Sequence, residues 1–312
     1  MKAAIVQVGV FPDAQQQVID AEFERIPPEA VMAEPALASR VEAIVTRSNY
    51  QVAVALVEAL PRLKVIATSG VGFDGIPHAL ARSRGVEVTH TPGVLDTAVS
   101  ELAIGLLLAL LRELPASDRY VRDGRWVRQG PYPLTTGLAG KRVGIVGLGR
   151  IGQGIAERLA PFGVDLGYSN PRPRSGVQWA YFSDVAGLAA ASDILMVCCP
   201  GGPATHHLVD AKVLQALGPE GFLVNVSRGT VVDEASLCDA LATGRLRGAA
   251  LDVFANEPLD GSPLTALPNA LLTPHAGSAT REARAQMLRL TLDNVHAALA
   301  GRPALTPVPS AV

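Results

Sequence analysis

The 312 residues carry 27 Lys and Arg against 29 Asp and Glu, a formal net charge of -2, with 48% hydrophobic and 18% charged residues. A chain of this length outgrows a single comfortable core, so two domains are expected. The near-neutral balance provides no field to draw in nucleic acid or an acidic membrane, and 4% aromatic content leaves little surface for stacking bases.

Three cysteines, Cys198, Cys199 and Cys238, form no disulfide framework and contain no CxxC pair that would suggest zinc. The N-terminal apolar stretch is broken by Gln7 and Gly9 and reads as a strand rather than a signal peptide. The longest apolar run, Leu102 to Leu111, is half a bilayer span. These features lead us to expect a cytoplasmic protein.

Strand-like and helix-like segments alternate from the start, which predicts an α/β fold with parallel sheets. Strands are expected at Ala3–Val8, Ala43–Thr46, Val65–Ala67 and Val86–Thr89. Helical segments fall between them at Gln51–Leu60, stopped by Pro61, and Pro77–Arg84, stopped by Gly85. The turn Thr91-Pro92-Gly93 then leads to Asp96, which can cap a long helix reaching about Arg112. That helix is apolar on nearly every face, so burial is expected, between domains or between subunits. A looser stretch from Asp123 to Gly140 carries Trp126.

A second alternation begins at Arg142, with strands at Val143–Val146, Val164–Tyr168, Ile194–Cys198, Phe222–Val226, Gly248–Leu251 and Ala270–Leu272. The final helical segment, Arg281–Leu299, has no strand after it and is expected to pack back on the first domain. The domains are therefore expected at 1–94 plus 283–312, and at 95–282. The last ten residues, rich in proline, read as a loose tail.

The strand Val143–Val146 runs into Gly147-Leu148-Gly149-Arg150-Ile151-Gly152, which opens a helix. GxGxxG alone is weak, but between a strand and a helix it is a dinucleotide-binding fingerprint. Gly147 permits the tight turn, Gly149 lets the backbone approach a pyrophosphate, and Gly152 lets helix and strand pack closely. The free N–H groups at Arg150, Ile151 and Gly152, with the helix dipole, suit the anion. About 20 residues on, an NAD enzyme usually has a carboxylate for the ribose hydroxyls. Here the strand exits as Ser169-Asn170-Pro171-Arg172-Pro173-Arg174, with no carboxylate and two arginines. Ser169, Asn170 and Arg172 suit a 2′-phosphate, so NADP(H) is expected over NAD(H). A solvated basic loop is the plainer alternative.

Four stretches in order, Gly140–Gly152, Val224–Gly229, Leu251–Phe254 with Glu257-Pro258, and Thr273–Gly277, resemble the D-isomer-specific 2-hydroxyacid dehydrogenase family over nearly the whole chain. Pro131–Thr136 and Ala216–Pro219 look closest to the glyoxylate/hydroxypyruvate and hydroxyphenylpyruvate reductases. The resemblance implies a Rossmann-type doubly wound sheet beside a smaller flavodoxin-like substrate domain. It also implies NADPH-dependent reduction of a 2-keto acid (glyoxylate, hydroxypyruvate or an aryl pyruvate) to the D-2-hydroxy acid.

Three catalytic positions follow from the resemblance, and each has a physical rationale. Arg228 would grip the carboxylate and polarise the carbonyl. His275 would donate a proton to the nascent alkoxide. Glu257 would hold the imidazole. Asp252 would meet the nicotinamide amide, although it could equally cap a turn. Thr205 would lie over the cofactor. Val71 and Gly72, in Ser69–Asp74, would cup the substrate carboxylate with backbone N–H groups, though their glycines equally make an ordinary turn. The other histidines, His78, His90, His206, His207 and His296, are read as structural. No metal is implied.

The rival reading is a non-catalytic dinucleotide sensor on the same fold, against which the proton donor argues. A homodimer is expected through the apolar helix Val99–Leu111, with Trp126 reaching toward the partner's site or plugging a local hollow.

Overall fold

The computed structural model describes residues 2–309. Two compact units emerge, one running to Leu95 and resuming at Thr280, the other spanning Asp96–Ala279.

The first unit carries β1 (Ala4–Gln7), β2 (Glu24–Ile26), β3 (Val41–Arg47), β4 (Val65–Ser69) and β5 (Glu87–Thr89). They form a parallel sheet in the order β2-β1-β3-β4-β5, the flavodoxin-like winding. Both faces are covered, so its strands read as continuous apolar runs rather than alternating ones. Ile5 packs with Ile19, Phe23, Leu288 and Leu292 on one face, while Ala4 and Val6 meet Val57 and Leu60 on the other. Ile5 is wholly buried, and Ile5→Ala should cost about 2–5 kcal/mol. The helix Arg281–Leu299 supplies Leu288, Leu292 and Val295 to this core, and Thr280 caps it by accepting from the Ala283 N–H at 3.1 Å.

The second unit carries β6 (Arg142–Val146), β7 (Asp165–Ser169), β8 (Ala180–Phe182), β9 (Ile194–Val197), β10 (Phe222–Asn225), β11 (Gly248–Leu251) and β12 (Ala270–Leu272). All pair in parallel in the order β12-β11-β10-β9-β6-β7-β8. The chain winds outward from β6 in one direction and from β9 in the other. This is the Rossmann-type doubly wound sheet, with its switch point between β6 and β9. Along β9, Leu195 and Val197 enter one core while Ile194 and Met196 enter the other.

The helix Asp96–Leu111 lays Ala103, Leu106, Leu107 and Leu110 on the second of these cores. Ser100 Oγ donates to Ile151 O at 3.3 Å, and a Cβ on Gly154 would stand 2.7 Å from that hydroxyl, so glycine lets the two helices approach. Leu102, Ile104 and Leu108 remain only half-buried in the single chain. No helix among the described residues is long and apolar enough to cross a membrane.

Other elements also differ from the sequence reading. The edge strands β2 and β8, three residues each, were not expected; they are too short to display a period. The stretch 123–140, read as loose, contains the helix Arg125–Gln129, opened by Gly124 at φ 67°. The proline-rich end is not loose over its described part. Pro307 bridges Thr89, and Val308 N–H donates to Val88 O at 2.9 Å, so these residues extend the β5 edge. Proline removes its own donor but leaves its neighbours free to pair on a sheet edge. Residues 310–312 of that expected tail lie outside the described residues.

Candidate active site

The glycine fingerprint joins β6 to the helix Arg150–Leu159. Gly147 has φ 94°, and a Cβ there would lie 2.5 Å from the Cys199 main chain; on Gly152 it would lie 2.3 Å from Gly147 O. Both positions therefore require glycine for packing within the protein. A Cβ on Gly149 would meet nothing within 4 Å, so no protein contact demands glycine there. No side chain caps the helix, whose first amide N–H groups include those of Arg150, Ile151 and Gly152.

At the end of β7, Ser169 is buried and its carbonyl accepts from Gly147 N–H at 3.0 Å. Asn170 Oδ1 accepts from Leu148 N–H at 2.7 Å, while Arg174 donates to Leu148 O at 2.7 Å. Asn170 and Arg174 thus clamp Leu148 of the glycine turn, one through each of its flanking peptides. Arg172 and Arg150 are exposed. No carboxylate stands between Ser169 and Arg174. The uncapped helix start, the open space at Gly149 and this acid-free strand exit fit a dinucleotide.

β10, β11 and β12 are neighbours, so the loops after them emerge at one edge. Arg228 follows β10. Asn225 fixes this turn by accepting from Ser227 N–H at 3.0 Å and donating to Arg228 O at 3.1 Å, and Ser227 Oγ donates to Cys199 O at 2.5 Å. Arg228 Nη1 donates to Ser227 O at 2.8 Å. Gly229 then meets the next loop so closely that a Cβ would lie 1.8 Å from the Phe254 carbonyl carbon. That contact sets the Arg228 turn against the loop holding Glu257.

Glu257 accepts from Phe254 N–H at 3.0 Å through one oxygen and meets His275 Nδ1 at 2.7 Å through the other. Burial works to raise its carboxyl, but the His275 hydrogen bond and charge, the Phe254 amide and the Arg228 charge outweigh burial and hold it below its ordinary value of 4.5. With Nδ1 facing the carboxylate, Nε2 is the nitrogen left to exchange a proton.

His275 itself sits at φ 51°, its N–H donating to Asp252 O at 2.9 Å. Asp252 is almost wholly buried. Its carboxylate accepts from Thr273 Oγ1 at 2.6 Å, Ala276 N–H at 2.7 Å and Gly277 N–H at 2.8 Å. These contacts match the turn-cap alternative and hold the unusual backbone of His275 in place. Thr205 closes its own loop, donating to Pro200 O at 2.7 Å.

Val71 and Gly72 follow β4 in the other unit, half-buried. There, Arg284 is held down at about 10 by burial and by the charge of Arg47, two arginines to which sequence reasoning gave no role. Trp126 is 61% exposed, so it plugs no hollow in the isolated chain. Sequence reasoning also overlooked Asn225. An Asn closing a buried strand two residues before Ser227 is an Asx-turn signal that could have marked it.

Residues 104–277 match the model of the D-isomer specific 2-hydroxyacid dehydrogenase, NAD binding domain, more than half the chain. The chain belongs to the D-isomer-specific 2-hydroxyacid dehydrogenase family. The dehydrogenase is an oxidoreductase using a nicotinamide dinucleotide. It is 44% identical over 271 residues to a hydroxyphenylpyruvate reductase of Plectranthus scutellarioides, covering 87% of this chain and 86% of that one. It is 45% identical over 268 residues to a glyoxylate/hydroxypyruvate reductase of Arabidopsis thaliana, covering 86% and 85%. Among solved structures, it superposes with a TM-score of 0.92 on the NADPH-dependent glyoxylate/hydroxypyruvate reductase of Sinorhizobium meliloti in complex with NADP and malonate. Identity there is 42%, over 99% of this chain and 97% of that one.

Proposed function

We propose that the dehydrogenase reduces a 2-keto acid, of the glyoxylate, hydroxypyruvate or aryl pyruvate class, to the D-2-hydroxy acid with NADPH. The observation that carries this reading is the 2.7 Å contact of His275 with Glu257 beside the Arg228 charge. A dinucleotide sensor has no use for such a buttressed proton donor. The reductases that the chain resembles supply the substrate class.

The nicotinamide, when bound, supplies hydride to the carbonyl carbon. Arg228 grips the substrate carboxylate and polarises the carbonyl oxygen. His275 Nε2 gives that oxygen a proton, and Glu257 stabilises the imidazolium before the transfer. Asp252 holds the His275 backbone in register. The N–H groups of Val71 and Gly72 take the carboxylate as well. The amides of Arg150, Ile151 and Gly152, over Gly147 and Gly149, hold the pyrophosphate. Thr205 shapes the loop beside it. Ser169, Asn170 and Arg172 receive the 2′-phosphate: Asn170 presents its amide Nδ2 as a donor, and Arg172 brings positive charge.

Initial rates with glyoxylate, hydroxypyruvate and aryl pyruvates, each with NADPH and NADH, test this function. Turnover of at least one acid with higher kcat/KM for NADPH is expected. Equal or better efficiency with NADH overturns the cofactor preference, and no turnover of any keto acid overturns the function.

A further inference from the structure

The loop after β4 owes its shape to residues 90 and 91. Thr91 N–H donates to Gly70 O at 2.8 Å, and His90 Nδ1 lies 3.1 Å from Val71 O. A carbonyl only accepts, so Nδ1 carries the proton in that contact. In a planar trans peptide the C=O of one residue and the N–H of the next point in opposite directions. Holding Gly70 O therefore aims the Val71 N–H, and holding Val71 O aims the Gly72 N–H. Neither of these two N–H groups has a protein acceptor among the described residues. They are the two donors assigned above to the substrate carboxylate.

His90 is itself held firmly. Its N–H donates to Thr306 O at 3.2 Å, and Thr306 Oγ1 donates to its carbonyl at 2.6 Å. Asn294, wholly buried, holds Thr306 on both sides, donating to its hydroxyl at 2.8 Å and accepting from its N–H at 3.0 Å. The imidazole also stands edge-on to Phe73, with ring centroids 5.5 Å apart. His78 reinforces the same loop with Nε2 2.8 Å from Phe73 O.

We propose that His90 is a positioning residue for substrate: anchored by the Thr306 strap and Asn294, it aims the Gly72 amide at the substrate carboxylate. This rests on the reading that Val71 and Gly72 bind that group. The fingerprint residues belong to the other unit, so cofactor affinity should not depend on His90.

The test measures KM for hydroxypyruvate, kcat and NADPH affinity in His90→Leu, His90→Asn, Thr306→Val and Gly72→Pro. His90→Leu keeps bulk but loses the donor, and KM should rise about five- to tenfold, the worth of one hydrogen bond. NADPH affinity should stay parental, and kcat should stay within about twofold. The amide nitrogen of His90→Asn falls near the place of Nδ1 and should restore a near-parental KM. Thr306→Val loosens the strap without touching the ring and should raise KM in the same direction. A parental KM in His90→Leu and Thr306→Val, with a raised KM in Gly72→Pro, overturns the positioning role and leaves the carboxylate reading standing. A parental KM in Gly72→Pro overturns the carboxylate reading too. A rise in His90→Leu that Asn fails to reverse assigns the effect to packing on Phe73, which also overturns the proposal.

Discussion

The contact of Glu257 with His275 makes two predictions, one of them about pH. Glu257→Gln keeps the side chain's size but removes the carboxylate facing His275 Nδ1, so kcat/KM for reduction should fall; a parental kcat/KM breaks the pairing. The acid side follows from the carboxylate. Its folded value lies below the ordinary 4.5, so the stabilisation it gives is fully present above that value and is lost as pH falls through the lower one. Activity measured down to pH 4.5 should show no loss traceable to Glu257. At the cofactor, Asn170→Asp keeps an acceptor for Leu148 N–H but sets a negative charge where a 2′-phosphate would lie. It should lower kcat/KM for NADPH and raise it for NADH. An unchanged ratio would remove Asn170 from phosphate recognition.

At the scale of elements, apolar runs bounded by turn signals were legible, and the short strands β2 and β8 were not. β11 and β12 match their expected spans residue for residue, because Gly248 and the Leu267–Asn269 turn bound compact apolar runs. β2 and β8 are formed by pairing with a neighbour rather than by their own pattern, which a linear reading does not see. The docking of residues 306–308 on β5 is likewise decided by an edge that only the folded sheet provides. Arg228, Glu257 and His275 could be named from motifs, whereas the partners that set their geometry could not. Asp252 on the 273–277 turn and Gly229 against Phe254 act across loops far apart in sequence. Gly229→Ala must displace main chain, so it should lower stability by about 1–3 kcal/mol and depress kcat as Arg228 shifts. Thermal unfolding with steady-state kinetics checks both.

The segment after the apolar helix leads to an assembly prediction. Leu114 and Val121 are half exposed, and Val127 and Leu134 are 92% and 98% exposed. With Trp126 and the half-buried Leu102, Ile104 and Leu108, they place several exposed or half-exposed large apolar side chains within residues 102–134. A homodimer burying this stretch is our proposal. Light scattering at micromolar concentration should give twice the chain mass, and Val127→Glu should shift it toward the monomer. A stable parental monomer contradicts it.

For the whole molecule, the division of labour within the second unit is a Rossmann-type sheet whose β6–β7 side fits a dinucleotide and whose β10–β12 edge carries a histidine in contact with a carboxylate, within reach of an arginine's charge. The sheet order makes both ends of this arrangement open at the carboxyl edge of the strands. Substituting the proton donor while leaving the glycine turn untouched separates the two functions. The most direct test is NADPH oxidation with hydroxypyruvate by the parent and by His275→Ala, with NADPH binding followed by fluorescence. The account predicts an active parent, and a variant that binds NADPH normally yet loses about 10²–10⁴-fold in turnover. Parental turnover in His275→Ala would contradict it.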